Sequence, residues 1–192
     1  MKRLGILSGI IASAIWGGMY VVSKVVMEVI PPFALLSLRL ILGTLSLWII
    51  VALSGGIGFS RKQIWQVIGV GWIGYGISLG FQFVGTNLST ASNGALVTSS
   101  TPAFIIVFAS IILREPVTRR KLIALGVSSL GVLAVIDPRS MELSPNLFWG
   151  NLSLVAAAIT WALYSVLIRK VTRDLDTLRV SLMAFWGGML VT

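Results

Sequence analysis

The chain has 192 residues, 56% of them hydrophobic and 11% charged, with a formal net charge of +9 and neither Cys nor His. So little polar surface cannot coat a water-soluble globule, and without Cys and His there are no disulfides, thiolate nucleophiles, imidazole proton shuttles or usual zinc sites. The basic excess forms short caps between apolar runs, not a stripe interleaved with aromatics, so it speaks for topology and anionic headgroups rather than nucleic-acid binding.

A membrane-spanning helix needs roughly 20 apolar residues, so the lengths of uncharged runs count the crossings. The first run covers residues 4–23 behind Lys2 and Arg3. Ala12-Ser13-Ala14 looks like a signal-peptide cleavage site, but the apolar run continues through Trp16 to Val22, which fits an uncleaved spanning helix. The second run is 40–60, lengthened upstream by 33–38 and followed by Arg61 and Lys62. Residues 63–113 are uncharged for 51 positions, too many for one helix. They are expected to be two spans, broken by a tight turn where Gly85, Asn87, Ser92, Asn93 and Gly94 cluster.

The fifth run, 122–136, is short at 15 residues, but Arg120 and Lys121 can snorkel at one end and Asp137-Pro138 stops it at the other. The sixth covers 143–168, entered through Ser144-Pro145-Asn146, and a seventh begins at Val180. Twelve of the fifteen basic residues fall on every second connection; the alternate connections carry Lys24 and Arg139 beside Glu28, Asp137 and Glu142. The positive-inside rule then puts the N-terminus in the cytoplasm, and because the N-terminus resembles no organellar transit peptide the expected membrane is a bacterial inner or other plasma membrane.

Sliding the chain against itself by 145 positions aligns Gly5, Leu7, Ser8, Ala12, Trp16, Val21, Gly43 and Leu45 with Gly150, Leu152, Ser153, Ala157, Trp161, Val166, Gly188 and Leu190. Lys24 meets Arg169 in the same register. Five crossings separate the copies, so the second enters from the opposite face. That is an inverted-topology repeat, an architecture many secondary transporters use around a midplane site. The expected fold is therefore an all-α integral membrane bundle of inverted five-helix repeats. The first repeat occupies residues 1–140, and an incomplete second one, the sixth helix and part of the seventh, occupies 141–192.

Several motifs add to this. The first helix has Trp16-Gly17, followed by Pro31-Pro32 and Leu38-Arg39. Ser99-Ser100-Thr101-Pro102, Leu113-Arg114-Glu115-Pro116-Val117-Thr118, Gly126, and Leu130-Gly131-Val132 follow in order, and Trp161-Ala162-Leu163-Tyr164 looks like the opening helix of a second repeat. Together these resemble the EamA-type transporters of the drug/metabolite transporter superfamily. The resemblance implies ten helices in two repeats and export or exchange of small metabolites through a central cavity. Against that pattern the chain has one repeat and 47 residues of the next. It is expected to be a fragment or truncated frame, or to pair with a second chain or a second copy of itself.

Candidates for the cavity wall are Trp16, Tyr20, Tyr75, Gln82, Asn93, Thr101, Trp161 and Tyr164. Trp16 and Trp161 lie deep in their helices and correspond through the repeat, so the pseudo-two-fold axis should bring them to equivalent places near the centre. Such a site is aromatic and weakly polar, suited to amphipathic solutes such as amino acids or hydrophobic metabolites. Pro102 should kink the fourth helix, with Thr98, Ser99, Ser100 and Thr101 satisfying the freed carbonyl or facing a cavity. Arg39 is an intramembrane charge that can snorkel to headgroups or face the substrate. The glycines at 69, 71, 74, 76 and 80 allow close helix approach in the third span.

All six carboxylates sit at span ends or in loops. That argues against a carboxylate proton relay and, with no metal-ligand cluster, against an enzyme, a metal site or a cofactor. A subunit like the small multidrug exporters would want an embedded Glu in the first helix, and none is there. A non-transporting membrane subunit is the remaining alternative.

Overall fold

A computed structural model describes residues 2–55, 58–135, 145–173 and 175–191. Among them the regular structure is entirely helical: α1 (Lys2–Val26), α2 (Pro32–Leu53), α3 (Arg61–Gly71), a π-helical stretch (Trp72–Ser78), α4 (Leu79–Leu88), α5 (Ala91–Thr98), α6 (Thr101–Ile112), α7 (Arg119–Val135), α8 (Pro145–Val171) and α9 (Thr177–Met189). Among the described residues five spans are long and apolar enough to cross a membrane: Leu4–Val26, Pro32–Leu53, Arg61–Leu88, Ala91–Ile112 and Asn146–Val171. The protein is thus an integral membrane protein whose large exposed hydrophobic side chains, from Leu4 and Ile6 to Trp186, serve as its lipid-facing surface. The fifth expected crossing appears as α7, whose 17 residues reach about 25 Å, short of the roughly 30 Å hydrocarbon core. The expected stop at Asp137-Pro138 and the entry through Ser144 lie outside the described residues.

Local chemistry explains the boundaries. Pro31 and Pro32 open α2, where a missing N–H costs nothing. Ser60 and Gln63 form a reciprocal capping box on α3, Thr90 accepts from the Asn93 amide to start α5, and Asp176 accepts from the Arg179 amide to start α9. The turn between the third and fourth spans is narrower than the residue cluster suggested. Gly85 and Asn87 are helical in α4, and Ser92, Asn93 and Gly94 are helical in α5, leaving only Ser89 and Thr90 between them. The Thr90 cap supplies the acceptor that lets α5 begin at once.

Two buried clusters hold the bundle. Val51, Val67, Val180, Leu182, Met183 and Ala184 join α2, α3 and α9 at the end that bears the basic loops, here termed the basic end. Met27, Leu35, Leu36, Leu40, Leu79 and Phe83 join α2 and α4 toward the far end. Glycines set the helix spacing. A Cβ on Gly71 would strike the Ala184 backbone, one on Gly187 the Ile68 and Trp72 backbone, and one on Gly74 the Tyr164 ring. Gly76 and Gly80 are similarly covered by Val191 and Phe33, whereas Gly69 meets nothing within 4 Å.

Segments related by the 145-residue offset meet in space. Trp16 and Trp161 have ring centroids 5.3 Å apart, and the Thr44 hydroxyl donates to Met189 Sδ at 3.4 Å. Gly43 faces Phe185 while Gly188 faces Leu40, and Leu40 and Phe185 are themselves offset partners. The pairs run in opposite senses. Lys24, near the end of α1, and Asn151, near the start of α8, both bond Ser89, and Arg179 at the start of α9 donates to the Ser54 carbonyl just past α2. Such reciprocal contacts are what a local two-fold axis between α1/α2 and α8/α9 produces.

Candidate functional site

Beside the Trp16–Trp161 contact lies a cavity of about 520 Å³, within the size range of small-molecule sites. α1 contributes Ser13, Trp16, Gly17 and Tyr20, spaced at i, i+3, i+4 and i+7 on one helix face. α4 contributes Gln82, and α8 contributes Ala157, Ala158 and Trp161, the alanines leaving room beneath the indole. The remaining wall is the α5–α6 junction, through Ala95, Thr98, Ser99, Thr101 and Pro102.

That junction is discontinuous because Pro102 has no N–H for the Thr98 carbonyl four residues back. Thr101 Oγ1 donates to that carbonyl at 2.6 Å. Ser99 and Ser100 hydroxyls likewise take the Ala95 and Val97 carbonyls, at 2.7 and 2.6 Å. The Thr98 carbonyl freed by Pro102 is thereby satisfied by a hydroxyl of the chain itself, while the Ala95 and Val97 carbonyls also accept from the Ser99 and Ser100 amides, in an apolar setting where an orphan carbonyl is costly. Thr98 Oγ1 donates to the Gly94 carbonyl at 2.6 Å and lies 2.7 Å from the Tyr20 hydroxyl, which joins α1 to α5 across one side of the cavity.

Of the residues expected at a cavity, the fold brings Trp16, Tyr20, Gln82, Thr101 and Trp161 to this wall. Tyr75, Tyr164 and Asn93 lie elsewhere. The π-helical stretch carries Tyr75 against Trp161, Tyr164 and Phe185, with centroids 5.6, 5.4 and 4.3 Å away, and Tyr164 lies 5.0 Å from Trp161. These two tyrosines back Trp161 instead of lining the space. Asn93 is held at the far end, where its amide donates to Ser89 Oγ, which donates in turn to Asn151 Oδ1. Thr98 and Ser99 were expected beside Pro102 as carbonyl partners or cavity residues, whereas Ser13, Ala95, Ala157 and Ala158 were not expected at a cavity. Ser13 stands three residues before Trp16, and Ala157 and Ala158 four and three before Trp161, so extending the aromatic face by one helical turn would have found them.

Charge is kept off the wall. Lys24, one turn beyond Tyr20, donates to the Asn87 and Ser89 carbonyls at 2.6 and 2.7 Å, capping the exposed end of α4. Arg39 neither lines the cavity nor stands free. Its Nη1 donates to Ser23 Oγ at 3.1 Å and its guanidinium lies 5.4 Å from the Phe83 ring centroid, binding α2 to α1 and α4. At the basic end, Glu115 follows Arg114, whose φ of 55° lies in the left-handed region. Glu115 bridges Lys121 at 3.0 Å and Arg169 at 2.7 Å, and the bond from Lys121 does most to hold its carboxyl below the ordinary range.

A polytopic helical membrane protein with a small-molecule-sized cavity where inverted segments meet is the architecture of a carrier class. The EamA-like transporter family model matches residues 3–136, and the chain belongs to that family. It is 26% identical over 183 residues to the uncharacterized transporter YetK of Bacillus subtilis (strain 168), covering 93% of this chain and 56% of YetK. To YyaM of the same organism, also described as an uncharacterized transporter, it is 30% identical over 180 residues, covering 91% of this chain and 59% of YyaM. An uncharacterized transporter of Archaeoglobus fulgidus is 23% identical over 178 residues, covering 92% of this chain and 61% of that one. The chain therefore spans a little over half the length of these relatives. A solved crystal structure shares the fold, with a TM-score of 0.67 at 21% identity over 96% of this chain and 64% of the other.

Proposed function

We propose that this chain forms the core of a secondary carrier that moves small amphipathic solutes through the cavity between α1, α4, the α5–α6 junction and α8. The observation that carries the reading is the Trp16–Trp161 contact, 5.3 Å between centroids, in the wall of a space of about 520 Å³. A site where two inverted segments touch can be exposed to either face by rocking one against the other, without chemistry on the solute. The basic loops support a cytoplasmic N-terminus, and a bacterial inner or other plasma membrane is part of the same reading. Residues 1–140 act as one repeat and 141–192 as the start of the next, and the family resemblance favours export or exchange.

A second chain, a further copy or more polypeptide completes the bundle. What supports this is α1, where only 6% of the span's most apolar window is buried and Gly5, Gly9, Gly17 and Gly18 meet nothing within 4 Å. The test is counterflow of radiolabelled solutes in proteoliposomes, with Trp16→Ala and Tyr164→Ala measured separately. Loss of flux at normal membrane levels in Trp16→Ala is the expected result. Unchanged flux, or loss of the protein itself in both variants, would reduce these aromatics to packing and favour a non-transporting subunit.

A further inference from the structure

Gln82 is 6% exposed, lies in the cavity wall and has no hydrogen-bond partner among the described residues. On the α5–α6 side of the wall Tyr20 pairs with Thr98, and the hydroxyls of Thr98, Ser99 and Thr101 are spent on backbone carbonyls; Thr86, one turn along α4, is buried with its hydroxyl unpartnered. Its primary amide brings two donors and an acceptor that open to the cavity, so whatever occupies that space must meet them. Among the described residues the wall contains no Lys, Arg, Asp or Glu. The nearby cations Lys24 and Arg39 are turned to the Asn87 and Ser89 carbonyls and to Ser23 and Phe83. A solute with a net charge would thus lose its hydration and find no opposite charge to replace it.

Resting on the reading of this cavity as a solute site, we propose that Gln82 is its polar recognition group and that it takes solutes of no net charge. The amide reads a head group that both donates and accepts, such as a carboxamide or a zwitterion, and the solute's apolar body lies against Trp16 and Trp161.

Four probes with one branched aliphatic body and different heads test this: isocaproamide, L-leucine, isoamylamine and isocaproate. Equilibrium dialysis against the detergent-solubilised chain should rank the amide and leucine at least tenfold above both ions. Gln82→Leu should weaken the amide and leucine about tenfold, while Trp16→Ala weakens all four alike. Gln82→Glu should raise isoamylamine above isocaproate, a gain that misfolding cannot imitate. Either ion binding within threefold of the amide, an unaltered amide affinity in Gln82→Leu, or binding of none of the probes overturns the assignment. Counterflow of the same probes separates this from the carrier reading. Selective binding without exchange removes transport and leaves the role of Gln82, whereas exchange of the ions independent of Gln82 does the reverse.

Discussion

Gly69 and Gly71 lie two residues apart on α3, and replacing each by Ala separates backbone propensity from packing. Both substitutions gain the same intrinsic term, up to about 1 kcal/mol in a helix interior. At Gly69 the new Cβ meets nothing within 4 Å, so that gain should appear undiminished. At Gly71 it would lie 2.7 Å from the Ala184 carbonyl carbon and closer still to Ala184 Cα and O. Carbon pairs rest at about 3.5–4.0 Å, so α9 must retreat by roughly 1 Å. These atoms are backbone and cannot rotate aside, so the retreat loosens Val67 against Val180, Met183 and Ala184 together. Overpacking of this kind typically costs about 1–3 kcal/mol. For a chain of this length each kcal/mol is roughly 2–4 °C of melting temperature. Gly71→Ala should therefore melt several degrees below Gly69→Ala by nanodisc thermal unfolding. Equal melting temperatures would refute the close α3–α9 crossing.

Three further outcomes follow from the geometry. Thr101→Val should cost about 1 kcal/mol by orphaning the Thr98 carbonyl, and little when combined with Pro102→Ala, which restores an N–H; a double-mutant cycle by SDS titration reads the coupling. Lys24→Met removes two charge-assisted bonds from the end of α4, so hydrogen exchange at the Ser89 and Thr90 amides should accelerate while that of α3 does not. Glu115, held below its ordinary value by Lys121 and then Arg169, adds stability that is present above the unfolded carboxyl's pKa and lost as pH falls through the lowered folded one. Part of the acid-side fall in melting temperature should accordingly vanish in Glu115→Gln, and an unchanged acid profile would remove the bridge from the account.

Topology was legible in the chain because a bilayer imposes two constraints that act on composition alone. Spans must be apolar and about 20 residues long, and their flanking Lys and Arg must alternate. Pro102 could likewise be read locally, because both the missing N–H and the hydroxyls that replace it lie within four residues. The offset of 145 residues further indicated that Trp16 and Trp161 are equivalent, and in the fold they touch.

What periodicity could not decide was the direction of each polar or aromatic side chain within a span, since in lipid a tyrosine can face a cavity, a neighbour or the interface. The π-helical stretch turns Tyr75 behind Trp161 and not into the cavity, and no residue type marks that change of register. Asn93 was drawn to Ser89 by a turn of two residues, and Arg39 to Ser23 and Phe83 on two other helices. Gln82 stands apart from these because the fold buries it in the cavity wall without a hydrogen-bond partner among the described residues. Single-helix physics, which depends on length, charge and the residues within one turn, was set by the chain itself. Which face met which awaited the packing of five spans, because that choice belongs to contacts dozens of residues apart.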